Sequence, residues 1–332
     1  METKRPDRQG AVFQQLEGRR ALVLGGTGFM GSTLARRLVD LGAAVTLTTT
    51  RLTAASWVAD MLDRARIEEA DLRDRARMRA LIQGQDFLFN FAGVSGAVHS
   101  NQYPFEDLDV NGLGVLTVVE VCRELNPQVR VIFPGSRLQY GVPDYLPVDE
   151  SHPMRPVSIY GADKLLGETY HLLYHHNYGL RATVLRISNP YGFSPDRAES
   201  AEYNIANRFI RAALDDRPLR IFGDGRQLRD YIHIDDVVEV VLRVAVDDVT
   251  IGQVYNLGAG TPVRLIEIAQ LIVEIVGGGR VEHVEWPAAF GAVETGDFYF
   301  NIDKLTRTIQ WWPQIPLAEG IRRSLPGYVS RE

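Results

Sequence analysis

Tyr160 and Lys164 stand four residues apart in Tyr160-Gly161-Ala162-Asp163-Lys164, a spacing that sets a phenol and an ammonium on one face of a helix. A lysine that close favours the phenolate, so the tyrosine can exchange a proton with a carbinol near neutral pH. Ser136 comes just after the apolar run Val129–Phe133, at the C-terminal end of an expected strand, where open α/β sheets collect their ligands. Its hydroxyl can hydrogen-bond the same substrate oxygen. A tyrosine and a lysine at this spacing are common by chance. Ser136 and a glycine-rich loop far upstream give the pair its catalytic reading, and no metal is called for.

That loop is Gly25-Gly26-Thr27-Gly28-Phe29-Met30-Gly31, which follows the apolar run Ala21–Leu24 and leads into a helical pattern. The glycines permit a tight turn and close backbone approach, and the helix N-terminus directs amide donors and a positive dipole at a pyrophosphate. Gly25, Thr27, Gly28, Phe29, Met30 and Gly31 are therefore expected around a dinucleotide. The second strand normally ends in an acidic residue that holds the ribose diol of NAD. Here it ends Thr48-Thr49-Thr50-Arg51, so Thr49 and Arg51 are expected to take a 2′-phosphate, and NADP(H) is favoured over NAD(H). The other reading leaves Arg51 as a solvated loop residue, with NAD bound without a diol clamp. Asp71-Leu72, after a possible third strand, is placed at the adenine, although an Asp there also serves as a helix cap.

Short apolar runs alternate with amphipathic stretches from Arg20 onward, as in parallel βαβ units. Strands are expected at Ala21–Leu24, Ala44–Thr48, Phe87–Phe91, Val129–Phe133 and Ala182–Ile187, and helices at Phe29–Leu41, Arg75–Leu81, Phe105–Leu125 and Ile159–Tyr178. The runs are near-continuously apolar, as strands buried on both faces should be, which predicts a doubly wound parallel sheet. After Asn189 a loop through Pro195 to Ser200 is expected, then a helix at Tyr203–Leu214 and a strand at Leu219–Phe222. Tyr231–Asp247 and Val254–Leu257 read as a return to the first lobe, before a helix at Leu265–Val276 and a strand at Val281–Trp286. The expected division is a polar extension (1–19), a dinucleotide-binding domain (20–188 plus about 229–260) and a smaller α/β substrate lobe (189–228 and 261–332).

The chain has 332 residues, 45% of them hydrophobic and 23% charged, with a net charge of −6. It carries no electrostatic footprint for nucleic acid or an anionic membrane. No signal peptide or membrane span is expected, which makes the cytoplasm the default location. The single cysteine, Cys122, lies in an apolar-periodic stretch and reads as a buried structural thiol.

Taken together, these motifs resemble the extended short-chain dehydrogenases/reductases of the nucleotide-sugar epimerase/dehydratase family, from Arg20 to Leu325. Besides the glycine loop and Tyr160 to Lys164, the resemblance rests on Asn90-Phe91-Ala92-Gly93, Ser136 with Tyr140-Gly141, and Leu185-Arg186 with Asn189-Pro190-Tyr191-Gly192. It extends to Ile221-Phe222-Gly223-Asp224-Gly225, Arg229-Asp230-Tyr231-Ile232-His233 and Tyr255-Asn256-Leu257-Gly258. The resemblance implies a Rossmann-type sheet, a Ser136/Tyr160/Lys164 catalytic group with Lys164 also on the nicotinamide ribose, and Phe91, Ala92 and Gly93 beside the cofactor. It also implies that Asn189, Asn204 and Arg229 hold a nucleoside diphosphate sugar, Arg229 on its pyrophosphate. Phe105–Leu125 and Ile159–Tyr178 match the helices through which the family often forms a homodimer, though packing against the sheet explains the same residues.

Two departures bear on the reaction. Relatives that dehydrate or decarboxylate carry an acidic residue just after the catalytic hydroxyl, whereas here the run is Ser136-Arg137-Leu138-Gln139, which argues against elimination. An arginine that often contacts the diphosphate is replaced by Glu294, which would repel a pyrophosphate, so either the sugar or its nucleotide sits differently or Glu294 binds sugar hydroxyls instead. The reading is a hydride exchange at sugar C4, in a nucleotide-sugar 4-epimerase. The alternative is an NADPH-dependent 4-ketoreductase, and a more remote one is a non-catalytic dinucleotide sensor.

Overall fold

The computed structural model describes residues 13–193 and 204–329. The expected loop from Pro195 to Ser200, the first residue of the helix expected at Tyr203, and residues 1–12 of the polar extension lie outside them. Twelve strands follow in order: β1 Arg20–Leu24, β2 Ala44–Thr49, β3 Ala65–Glu69, β4 Phe87–Asn90, β5 Arg130–Ser136, β6 Arg181–Ile187, β7 Asn189–Tyr191, β8 Pro218–Phe222, β9 Leu228–His233, β10 Val254–Leu257, β11 Pro262–Arg264 and β12 Arg280–Val284. The main sheet has seven strands in the order β10-β6-β5-β4-β1-β2-β3, and every pairing in it is parallel. This is the Rossmann-type doubly wound sheet, with its strand order reversing at β1.

The helices that matter here are α1 Phe29–Asp40, α2 Arg75–Ile82, α3 Val115–Leu125, α4 Ile159–Tyr178, α5 Ile205–Leu214, α6 Ile234–Val246 and α7 Leu265–Val276. Alternate residues of β1 explain the continuous apolar runs. Ala21 and Val23 pack with Leu34 and Leu38 of α1 and Val237 and Val241 of α6, whereas Leu22 and Leu24 face Met78 of α2 and Val118 of α3. Cys122 is fully buried on that second face, where burial pushes its thiol up to about 12. Outside the main sheet, β9 lies between β7 and β11, and β8 pairs with β12.

Three expectations change in detail. β5 runs on to Ser136, which is therefore the strand's last residue, paired with Ile187; Pro134 and Gly135 hide the extension in the sequence. β3 is a charged edge strand, Ala65-Arg66-Ile67-Glu68-Glu69, and such charges protect an edge while erasing its apolar signature. The helix expected at Phe105–Leu125 is interrupted by a π-helical segment, Leu108–Gly114. There the chain pulls in against Leu72, whose Cβ would lie 2.9 Å from a Cβ at Gly114.

A buried ion pair joins the sheet to α4. Arg186 of β6 donates to Glu168 of α4, its Nε lying 2.9 Å from Oε2, with both side chains almost wholly buried. Burial works against the charge on Arg186, but the hydrogen bond and charge of Glu168 more than offset it and raise its pKa. Glu168 also accepts from Gln139 Nε2 at 2.7 Å, and Gln139 Oε1 accepts from the Ser136 backbone N–H at 2.6 Å. On its other side Arg186 donates to the Tyr140 hydroxyl, which donates to Asn256 of β10 at 2.6 Å. Replacing Glu168 with Ala would leave the guanidinium buried without its anion, a loss of about 3–5 kcal/mol. Urea unfolding of Glu168→Ala should show that loss, with Glu168→Gln intermediate.

Candidate active site

The glycine-rich turn at the end of β1 is fixed from both sides. Gly25 has φ +73°, and a Cβ there would sit 2.7 Å from the Cα of Ala92. At Gly31 a Cβ would meet the carbonyl oxygen of Gly25 at 2.2 Å, so the first turn of α1 lies directly on the loop. Gly28 differs, because its Cβ would meet only the Gly25 oxygen, at 3.4 Å. The protein's own packing does not demand a glycine there, whereas close approach of a ligand to the N-terminus of α1 would. Gly28, Phe29, Met30, Gly31, Phe91 and Gly93 all line one large cavity, so the residues present fit a dinucleotide.

Several expected cofactor contacts are engaged elsewhere. Thr49 Oγ1 donates to Arg51 O at 3.0 Å and accepts from Arg51 N at 3.2 Å and Thr27 Oγ1 at 3.1 Å. One donor and two lone pairs are all a hydroxyl has, so Thr49 positions the loop and has nothing left for a ribose or phosphate. Arg51 is exposed. Asp71 is held by Arg73, its Oδ1 accepting from Nε at 2.9 Å, and that hydrogen bond keeps its carboxyl below the usual range. The Leu72 side chain is buried in the core beside α3. Neither side chain lines the cavity.

Ser136 and Tyr160 line the same cavity, which measures about 1170 Å³. Ser136 Oγ accepts from Leu138 N at 3.2 Å, and Ser100 Oγ accepts from the Tyr160 backbone N–H at 2.9 Å. Ser158 caps α4 at the residue before its start by accepting from Gly161 N, so Tyr160 sits in the first turn. Lys164 is buried, donates to Pro134 O at 2.9 Å and lies 5.8 Å from the centre of the Tyr160 ring. Burial holds its ammonium down to about 8, against the pull of Asp107.

Asn111, Asp107 and Asp163 escaped the sequence reading. Asn111 accepts from Val94 N at 3.1 Å and donates to Val94 O at 2.7 Å, pinning the loop after β4. A Cβ at Gly93 would strike its Oδ1 at 2.5 Å. Its amide also donates to Asp107 Oδ1 at 2.9 Å. The i, i+4 spacing of Asp107 and Asn111 was the available signal. Asp163 is pushed up to about 7 by burial and by the hydrogen bond and charge of Asp107.

On the substrate side, the side chains implied by resemblance are largely occupied. Asn189 donates to Asp230 O at 2.8 Å and accepts from Arg137 Nε at 3.2 Å. Asn204 caps α5 by accepting from Asn207 N at 3.2 Å and donates to Pro190 O at 2.6 Å. Arg229, expected on the pyrophosphate, instead donates to Gly296 O, Leu228 O and Glu294. Glu294 thus neutralises Arg229 through Oε1, while its side chain also lines the cavity. Asp230 contacts the backbone N–H groups of Ala259 and Phe300, and burial raises it to about 6. Arg137, passed over as a site residue, lines the cavity beside Ser136. At the far end Phe222 packs against Trp286 and Phe290, with ring centres 5.4 and 5.1 Å apart.

A parallel sheet with a glycine turn after β1, and a Ser, Tyr and Lys group at its C-terminal edge, defines an oxidoreductase of the extended short-chain dehydrogenase/reductase type. The model of the NAD dependent epimerase/dehydratase family matches residues 21–258. A putative UDP-glucose 4-epimerase of Methanocaldococcus jannaschii is 31% identical over 91% of this chain and 96% of its own length. The UDP-glucose 4-epimerase of Mycolicibacterium smegmatis is 30% identical, over 92% of this chain and 97% of its own. Among solved structures, an epimerase of Methanothermobacter thermautotrophicus has TM-score 0.91 and 26% identity, over 98% and 97% of the two chains. The Thermus thermophilus UDP-glucose 4-epimerase, in complex with NAD, has TM-score 0.83 and 25% identity, over 94% and 100%. The chain belongs to the NAD dependent epimerase/dehydratase family, and is an enzyme that uses a nicotinamide dinucleotide.

Two tests follow. Gly31→Ala should fold poorly because its Cβ meets backbone, whereas Gly28→Ala should keep its thermal midpoint and lose dinucleotide affinity; calorimetry on both variants separates these effects. Asp163 has a folded pKa above its unfolded value of 3.8, so the stability it lends is full below that value and is lost as pH rises towards 7. Relative to the wild type, Asp163→Asn should gain stability from pH 4 to pH 7 in urea titrations; a constant difference would contradict the shared carboxyl pair.

Proposed function

We propose that this enzyme is a nucleoside diphosphate sugar 4-epimerase in which Ser136, Tyr160 and Lys164 act on the C4 carbinol. The observation that carries the reading is the placement of Ser136 and Tyr160 in one cavity between the glycine turn and the aromatic end at Phe222 and Trp286. Bound there, the nicotinamide supplies hydride acceptance and return at C4. Tyr160 takes the hydroxyl proton and gives it back, Ser136 hydrogen-bonds the same oxygen, and the Lys164 ammonium favours the phenolate. Arg137 stands where an acid would be needed for elimination. The names borne by the relatives favour epimerisation over one-way ketone reduction.

The choice of dinucleotide turns on the end of β2. With no carboxylate there, and with Arg51 forming no ion pair among the described residues, NADP(H) is favoured; Thr49 adds nothing to this. The family description and the NAD bound by the Thermus relative stand on the other side. The apolar side chains of Phe105, Leu113, Leu173 and Tyr178 are exposed on the α4 side of the molecule and the segment before α3, which supports a homodimer. Among the described residues no helix is long and apolar enough to cross a membrane.

Incubation with UDP-glucose and related nucleotide sugars should give the C4 epimer by proton NMR with no added reductant, and Tyr160→Phe should lower kcat by about 10²-fold or more. Denaturation and identification of the released dinucleotide decides between NAD and NADP. A product formed only with stoichiometric NADPH would overturn the epimerase.

A further inference from the structure

The guanidinium of Arg137 is a cation without an anion. Its Nε donates to Asn189 Oδ1 at 3.2 Å and its Nη1 to Thr295 Oγ1 at 3.0 Å, both neutral acceptors. Its plane lies over the Phe298 ring, 5.4 Å from the centre. A guanidinium has five N–H donors in a fixed fork. The remaining three, including both on Nη2, meet no acceptor among the described residues. No carboxylate there comes within ion-pair distance, because Glu294, the acid at this end of the cavity, is paired with Arg229. Burial and the neighbouring charge of Arg229 hold the Arg137 pKa down to about 10, which still leaves it charged at neutral pH. A half-buried positive charge whose free donors face a cavity is placed to meet an anionic ligand there.

We infer that Arg137 is a specificity residue that anchors a carboxylate carried on the hexose itself, so that the substrate is an acidic nucleotide sugar. The inference rests on the epimerase reading for the pose of the sugar. With C4 at Ser136 and Tyr160, the side chain of the very next residue lies beside the substituents flanking C4, at C3 and C5. The diphosphate hangs from C1, across the ring from C4. It also has another cation to meet it, since Arg211 of α5 lines the cavity towards Phe222 and Trp286, where Arg217 and Arg220 line it too but pair with Asp215 and Glu282. The cation at the sugar end is therefore not needed for the diphosphate. A carboxylate can reach it from C6, as in a uronate, or from an acidic ether at C3, and a planar fork meets either in paired hydrogen bonds.

Calorimetric titration with UDP-glucuronate, UDP-N-acetylmuramate and UDP-glucose tests this through binding alone. The wild type should bind one of the two acids about tenfold or more tightly than UDP-glucose, the scale of a charged hydrogen-bonded pair; which acid it prefers places the carboxylate at C6 or at C3. In Arg137→Leu the ratio of acid to neutral affinity should fall to near one, and Arg137→Lys should keep part of it. An equal loss for all three ligands would put Arg137 on the diphosphate, and a wild type without acid preference would refute the inference directly. If the acid preference holds but NMR shows no C4 epimer, the epimerase reading fails while carboxylate recognition at Arg137 stands. If no nucleotide sugar binds, both fall.

Discussion

The ion pair between Arg186 and Glu168 is the contact on which the catalytic edge depends. It sits below the surface between β6 and α4, where unpaired charges would be strongly destabilising. Beyond one bond to the Glu150 carbonyl, the other hydrogen bonds of the pair reach segments that shape the site. Through Gln139 it holds the backbone of Ser136; through Tyr140 it reaches Asn256 in the edge strand β10. Because Glu168 and Lys164 lie one turn apart on α4, the contact that secures the helix also sets the depth at which Lys164 meets the Pro134 carbonyl.

The distribution of charge then determines what the cavity can receive. Near the cofactor, the positive potential comes mainly from backbone, at the N-terminus of α1 where the glycines let a ligand approach. Along the outer half it comes from arginines, and beyond them lies an aromatic cluster. Between the two, Glu294 pairs with Arg229, and Arg137, next to Ser136, has no carboxylate at ion-pair distance among the described residues. Behind the cavity wall, Asp107 and Asp163 form a separate acidic pair, of which Asp107 acts on Lys164 and is joined by Asn111 to the loop after β4. The site therefore has a tuned rear and a cationic front.

Much of this architecture was legible in the sequence because it is local. Runs buried on both faces announce β1, β4 and β6, and the limits of α4 follow from Ser158 and Gly179, a side-chain cap and a left-handed terminus. The glycine turn and the Tyr160–Lys164 pair are likewise properties of adjacent residues. What escaped depends on partners distant in the chain. Thr49 looked like a phosphate ligand until its hydroxyl was found filled by Thr27 and Arg51, and Arg229 looked like a pyrophosphate ligand until Glu294, 65 residues on, was found against it. Asn111 was hidden because its π-helical segment breaks the periodicity used to read helices. Arg137 was visible only as the absence of an acid.

The central claim is that hydride leaves C4 and returns to the same carbon without net oxidation. A nucleotide hexose carrying deuterium at C4, turned over by the enzyme in ordinary water, tests it most directly by mass spectrometry and NMR of the product. Retention of the label at C4 of the epimer, with the bound dinucleotide unchanged in oxidation state, is the expected result. Loss of the label to solvent, or its appearance on a dinucleotide released into solution, would contradict the account.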